Sequence, residues 1–371
     1  MSTNKDNILY IGPYREFTGM GNASRHYLMS LIRSGHNVCI RPIYNEFNPY
    51  PETEIPPEIL ELEKNYKSKY HKIIQHCYPH QLVYDSNFDQ NIGILHLDTN
   101  QADRSLVNHL CLLDNIIVGS AKNKKILQNA GVQTKIDVIP EPIDLDTIKN
   151  YRDNNEIEVL DQNFKFYTIG AMIDRKNLQQ LLLSFLLFAN YYDNADLIIK
   201  IRNIKHTHDV NSYVDYEFEK IYSTIRNNFL KKPKIFIGDT SYDNIMYIHN
   251  NNDCYISTSH GESFGYSALE AIAFNNNIVT TKNNGSDDIV QNGLGILVGN
   301  KEIACKDKDR LFPFYNSIYN TWNEPDINNM INAMFSAVNE SREEKQKRIY
   351  AQNEAIKQYT YDSIAKLWNK I

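Results

Sequence analysis

Short apolar runs rich in isoleucine, valine and aromatic residues alternate along this chain with stretches whose apolar positions recur every three or four residues. The first pattern marks strands and the second helices. NILYIGP (7–13) reads as a strand, ASRHYLMSLIRSG (23–35) as a helix stopped by Gly35, and HNVCIRPI (36–43) as the next strand. A Pro-rich stretch, 49–57, precedes a charged helix predicted over 58–75. IGILHLD (92–98) and NIIVGS (115–120) read as strands and KNKKILQNAG (122–131) as a helix. KIDVIPEPID (135–144) is a strand entering a Pro-rich turn.

A second series follows. FKFYTIGAM (164–172) is a predicted strand, LQQLLLSFLLFANYY (178–192) a helix with a buried face, and DLIIKIRN (196–203) a strand. KIFIGD (234–239), DCYISTS (253–259) and NIVTTKN (277–283) supply three more strands with helices between them. Strands separated by helices imply parallel sheets covered on both faces, so the fold class is α/β. Two such series imply two doubly wound, Rossmann-like domains, expected at 1–150 and 151–350, with a polar boundary near 145–163. A closing amphipathic segment, 351–371, is expected to reach both domains and pack back on the first. Ligands of open α/β sheets gather at the carboxyl ends of the strands, and two facing sheets of this kind are expected to frame a cleft.

Composition narrows the function. The chain has 371 residues, 42% of them hydrophobic and 23% charged, as ordinary globular proteins do. A net charge of -6 speaks against a nucleic-acid partner. The five cysteines are scattered and never spaced C-x-x-C, which favours free thiols in a reducing compartment over a disulfide framework or a zinc site. The opening MSTNKDNILYIGP has no apolar leader region, and 178–192 is too short to span a bilayer. A cytoplasmic location is expected.

The richest stretch chemically is HGESFGYSALEAIA, starting at His260. It directly follows the strand DCYISTS, so Ser263, Phe264, Gly265 and Tyr266 fall in a strand-to-helix turn and the first helical turn. Unsatisfied N–H groups and a partial positive charge at such a helix start favour a phosphate, and glycine lets it approach the backbone. Glu270, about one turn in, is spaced to accept from a ribose diol, and Glu262 to face a group beyond the phosphates. The same local pattern equally fits a capped helix with two solvated glutamates.

HGESFGYSALEAIA resembles the E-x7-E signature of retaining GT-B glycosyltransferases of family 4. Five more pieces occur in the family's order: DNIIVGSAKNKKILQNAGV (114–132), VIPEPID (138–144), IGAMIDRKN (169–177), IVTTKNNGSDDIVQNGLGILV (278–298) and YTYDSIAKLW (359–368). They cover most of the chain except about 44–90 and 300–345. The resemblance implies that Glu270 binds the ribose of a nucleotide-sugar donor and that Glu262 contacts the sugar and supports charge at its anomeric carbon. Ser263, Phe264 and Gly265 would offer N–H groups to the diphosphate, with Tyr266 beside them and Lys176 neutralising it. A fixed cation there lowers the barrier as the leaving group gains charge. No metal or other cofactor is expected.

One position departs from the pattern: Ala171 stands where relatives carry arginine, and Arg175 is the candidate replacement. Gly19, Gly21 and Asn22, in the expected loop FTGMGNAS (17–24), resemble the family's glycine-rich loop near the donor phosphate. Alone, this G-x-G is weak, and it fails the dinucleotide fingerprint. His96 and Asp98 alternate along one face of a strand end and are catalytic candidates on the resemblance, although a structural histidine fits equally well. Asp144 and Asp146 spell the D-x-D metal motif of the other main glycosyltransferase fold, but at a domain boundary, where it is discounted.

The expected activity is metal-independent transfer of a sugar from a nucleotide-sugar donor to a glycan, lipid or protein hydroxyl with retention. Peripheral membrane contact is left open as a partner. The alternatives are a nucleotide-sugar epimerase, or another GT-B enzyme, and a non-catalytic GT-B binding protein. The donor base, the sugar, the acceptor and the oligomeric state are not legible.

Overall fold

The computed structural model describes residues 6–45, 49–157, 162–202, 210–224, 232–305 and 320–371. The chain divides into two compact units, one of Met1–Asp144 with Lys357–Ile371 and one of Leu145–Ile356. In chain order the first carries β1 (Asn7–Gly12), α1 (Gly19–Ser34), β2 (Asn37–Pro42), α2 (Pro57–Glu63) and β3 (Lys72–His76). β4 (Gln90–Leu95), α3 (Arg104–Leu110), β5 (Asn115–Val118), α4 (Ala121–Asn129) and β6 (Lys135–Val138) follow.

The second unit runs α5 (Leu145–Asn154), β7 (Phe164–Ala171), α6 (Leu178–Ala189), β8 (Ala195–Arg202), α7 (Val210–Thr224) and β9 (Lys234–Ile237). It continues with α8 (Tyr242–Asn250), β10 (Cys254–Ser257), α9 (Tyr266–Ala273), β11 (Asn277–Thr281), α10 (Asp287–Val290) and β12 (Ile296–Val298). A hairpin of β13 (Asn300–Ala304) and β14 (Thr321–Pro325) leads into α11 (Ile327–Val338) and α12 (Arg342–Ala355). α13 (Tyr361–Trp368) returns to the first unit.

Each unit has one six-stranded sheet with every neighbouring pair parallel. The first is ordered β2-β1-β3-β4-β5-β6 and the second β12-β11-β10-β7-β8-β9. Fully buried strands of this kind read as continuous apolar runs because helices cover both faces. In the first unit Ile8, Tyr10, Ile74 and Ile94 pack toward α1 and α13, while Leu95, Ile116 and Val118 pack toward α3 and α4. In the second unit Phe166, Leu197, Ile199 and Ile256 meet Leu182 and Phe185 of α6 and Met330 and Met334 of α11.

The helix predicted over 58–75 is a correction. It ends at Glu63, and 72–76 is strand β3, paired with β1 and β4. KIIQH hides its strand character because Gln75 and His76 are polar yet buried, Gln75 bonding to Val83 and His76 to Tyr10. The glycine stretch 17–24 is corrected too: α1 begins at Gly19, with the Thr18 hydroxyl accepting from the Gly21 N–H at 2.8 Å. The antiparallel pair β13–β14 had no sequence signal. Asn203, expected to end a strand, and residues 158–161 of the predicted boundary lie outside the described residues.

The closing segment is tied to the first unit. Ile143 N–H donates to the Tyr359 carbonyl at 2.8 Å, and Trp368 packs edge-on to Tyr27 while its indole N–H donates to Ser30 Oγ at 2.8 Å. Trp368→Ala is therefore expected to cost the first unit about 3–5 kcal/mol by opening a cavity. Trp368→Phe should cost less by keeping most of the packing. Urea denaturation followed by circular dichroism measures both.

Candidate active site

Strand order reverses in the second unit between β7 and β10, whose following loops leave the sheet side by side. Such a switch point is where an open α/β sheet forms its ligand crevice. The loop after β7 carries Arg175 and Lys176, and the loop after β10 carries Glu262 to Gly265.

The second loop is held by unusually close backbone packing. Gly265, directly before α9, has φ +94, and a Cβ there would lie 2.7 Å from Ser286 Cβ. A Cβ on Gly285 would sit 1.9 Å from the Ser263 carbonyl oxygen, so only glycine fits. Gly285 N–H donates to the Glu262 carbonyl at 2.8 Å, and Asn284 Oδ1 accepts from Glu262 N–H at 3.2 Å. Ser263 and Phe264 are buried by this packing. The N-cap of α9 is Gly265, which has no side chain to offer a capping oxygen.

Glu262 joins the two loops. Lys176 Nζ donates to its Oε1 at 2.5 Å and Arg175 Nη1 to its Oε2 at 3.2 Å. Arg175 Nη1 also donates to the Gly261 carbonyl at 2.6 Å, and the Arg175 carbonyl accepts from His260 N–H at 2.8 Å. Burial pushes the Glu262 carboxyl up, but Lys176 and then Arg175 outweigh it and hold it down to about 2. Two cations thus flank one anion, leaving an excess of positive charge beside a helix N-terminus.

His260 steadies this junction from behind. Its ring stacks on Trp322 of β14, with centroids 5.3 Å apart, and its Nδ1 lies 3.2 Å from Glu324 Oε2. Burial raises the Glu324 carboxyl, with a hydrogen bond from Asn177 opposing it. Trp322 and Glu324 were missed in the sequence because β14 had no legible signal, and His260, though it opens the HGESFGYSALEAIA stretch, had been given no role. Glu270 lies inside α9 and is 4% exposed, its Oε2 3.4 Å from His249 Nε2. Tyr266 is the first residue of α9.

The first-unit candidates form a separate group. Gly19, Gly21 and Asn22 occupy the first turn of α1, and a Cβ on Gly21 would come within 2.2 Å of the Glu16 carbonyl oxygen. Gly21 therefore permits a close backbone contact. His96 and Asp98 lie just past β4, half-buried, alternating with buried Leu97 and Thr99. His96 Nε2 is 2.7 Å from His76 Nε2, and His96 Nδ1 is 3.5 Å from Glu141 Oε1. His76 Nδ1 in turn meets the Tyr10 hydroxyl at 2.7 Å, which meets Ser24 Oγ at 2.9 Å. Both ring nitrogens of His96 thus face protein groups. Burial and then His96 keep His76 well below the usual histidine range. Glu141, His76 and Tyr10 had not been singled out, and the sequence around them gave no signal beyond ordinary strand residues.

Among the described residues, no group of three or more His, Cys, Asp or Glu side chains is placed to hold a metal ion, and no helix is long and apolar enough to cross a membrane. Residues 150–306, which include Arg175, Lys176 and the whole 260–270 stretch, match the family model for glycosyl transferases group 1. That match covers less than half of the chain. Over 191 residues the chain is 26% identical to the capsular polysaccharide biosynthesis glycosyltransferase CapM of Staphylococcus aureus. That match spans 49% of the chain and 47% of the relative, about half the relative's length.

Solved structures resemble the fold over nearly the whole chain. The E. coli trehalose-6-phosphate structure bound with UDP-2-fluoro glucose gives a TM-score of 0.69 at 12% identity, covering 98% of both chains. Anabaena Alr3699/HepE in complex with UDP and glucose gives 0.65 at 14% identity, again covering 98% of both. Two doubly wound parallel units in series are the GT-B class of α/β fold.

A depressed carboxyl stabilises the folded state above its unfolded pKa and loses that contribution as pH falls through the folded one. For Glu262 this window runs from its ordinary 4.5 down to about 2. The stability difference between wild type and Glu262→Gln is therefore expected to be largest near neutral pH and to shrink between pH 5 and 2. Urea midpoints at stepped pH read it.

Proposed function

We propose that the chain transfers a sugar from a nucleoside diphosphate donor to an acceptor hydroxyl with retention of anomeric configuration, using side-chain cations in place of a metal. The observation that carries this reading is the meeting of Lys176 and Arg175 at Glu262, next to the start of α9. That arrangement suits a diphosphate. Its oxygens would take hydrogen bonds from Lys176 and from the N–H groups at Ser263, Phe264 and Gly265, and their charge would be balanced by the helix end. Both cations are engaged by Glu262. An arriving diphosphate would draw Lys176 toward itself and release Glu262 to accept from the sugar's hydroxyls.

In the reaction the bond from the anomeric carbon to the diphosphate oxygen breaks as negative charge grows on the leaving group, where fixed cations stabilise it most. Ionised Glu262 would stabilise the positive charge developing on the sugar. The acceptor oxygen bonds to the same face of that carbon, and its proton passes to the departing diphosphate. Glu270 would accept hydrogen bonds from the donor ribose. His96, Asp98 and the Gly19–Asn22 turn are assigned on this reading to the first unit's part in holding donor phosphate and acceptor. The acceptor is a glycan, lipid or protein hydroxyl, and the location cytoplasmic.

Support comes from the relatives' names, a capsular polysaccharide glycosyltransferase on one side and structures holding UDP with glucose or a fluoro-glucose on the other. A thermal-shift panel of UDP, GDP, ADP and TDP is expected to show stabilisation by at least one. Lys176→Ala and Glu270→Ala should then bind that nucleotide roughly 10- to 100-fold more weakly, with circular dichroism unchanged. Transfer should persist in the presence of a chelator and give product of the donor's anomeric configuration by NMR. Stabilisation by none of the four would overturn the donor site.

A further inference from the structure

A buried hydrogen-bond chain, in which each proton can be placed, ends at His249, whose Nε2 approaches Glu270 to 3.4 Å without meeting hydrogen-bond geometry. Asn276, in the turn after α9, has its side-chain nitrogen 2.7 Å from the His249 backbone carbonyl and 2.8 Å from the Tyr167 hydroxyl oxygen. A backbone carbonyl only accepts, so the group facing it is the amide NH2, which also donates to Tyr167. The Tyr167 hydroxyl proton is then free to go to His249 Nδ1, at 2.6 Å. Burial raises the Tyr167 phenol well above its ordinary value, with Asn276 opposing, so this hydroxyl stays a donor.

With Nδ1 accepting, the proton of a neutral imidazole sits on Nε2, which faces Glu270 Oε2 at 3.4 Å. The ring has no freedom to turn. His249 is 0% exposed, stacks on Phe274 with centroids 5.3 Å apart and meets Tyr167 edge-on. Every partner in the chain comes from a different element: Tyr167 from β7, His249 from α8, Glu270 from α9 and Asn276 from the turn beyond it.

We propose that His249 is a positioning residue for Glu270, its Nε2–H steering one carboxylate oxygen so that the other is presented to the vicinal diol of the donor ribose. The proposal rests on the nucleotide-sugar reading above. Its physical content is preorganisation: a carboxylate fixed before the ligand arrives loses less freedom on accepting two hydroxyl protons. His249 touches neither the ribose nor the reacting atoms. Its effect is therefore confined to ligands that have a diol to offer.

The test uses the full chain with the nucleoside diphosphate that stabilises it best, and the 2′-deoxy form of the same nucleotide, by calorimetry. Wild type is expected to prefer the ribose form roughly tenfold, the worth of a hydrogen bond to a charged group. His249→Phe fills the ring's space without a donor and should erase that preference while leaving the 2′-deoxy affinity unchanged. His249→Gln, whose amide N–H reaches toward the same point, should retain most of it, and Tyr167→Phe should give an intermediate ratio. A His249→Phe chain, folded by near-UV circular dichroism, that keeps the wild-type ratio or weakens both ligands in step would overturn the positioning role. Wild type binding no nucleoside diphosphate would overturn the transferase reading and this proposal together. Nucleotide binding with a ribose preference unaffected by Glu270→Gln would overturn only the proposal.

Discussion

The second unit is organised around one buried carboxylate shared by two cations. Removing Glu262 from water without partners would shift its proton equilibrium toward the neutral acid. Lys176 and Arg175 reverse that, and they reach it only because the loops after β7 and β10 emerge together at the strand-order reversal. Such pairs stabilise folds weakly once desolvation is counted. On the proposed reading, what the triad secures instead is a preformed positive site whose internal anion could be exchanged for a ligand's.

Holding that site requires backbone shapes that ordinary residues resist. Gly265 and Asn283 adopt positive φ on either side of the Glu262 loop, Asn177 does so immediately after Lys176, and Gly285 admits the Ser263 carbonyl where a Cβ would collide. Residues in such conformations persist only where surrounding contacts determine them, and they concentrate at ligand sites. Here the supports are identifiable. Asn284 spans the Ser259 and Thr281 carbonyls with its amide, and Thr258 Oγ1 donates to the Asn177 carbonyl at 2.9 Å.

The α/β class and most strands were legible because a doubly covered parallel sheet writes itself as apolar runs, as NILYIG and NIIV do. KIIQH failed that rule, since Gln75 and His76 are buried with long-range partners that no local pattern reveals. Gly19 and Gly21 read as a loop because glycine usually breaks helices, whereas a Thr18 cap starts one there. The site was legible to the same degree. Glu262, Glu270, Lys176 and Arg175 could be named from spacing and resemblance, but the pairing of both cations with Glu262 could not. Neither could the Tyr167–His249–Asn276 support, drawn from three elements far apart in sequence.

The two glutamates that look alike in HGESFGYSALEAIA therefore sit in opposite electrostatic settings. Glu262 is surrounded by full charges at 2.5 and 3.2 Å, so its ionisation is secured at the cost of its availability. On the proposed reading a competing polyanion must arrive before its oxygens are released, which would couple sugar contact to diphosphate binding. Glu270 faces the His249 ring at 3.4 Å, beyond a full hydrogen bond, so it retains acceptor capacity without waiting for any exchange. A ligand carrying both a diol and a diphosphate can satisfy Glu270 directly and Glu262 only after displacing Lys176. That difference in availability follows from the neighbours each helix and loop supplies, and it orders the two contacts even though the residues are identical.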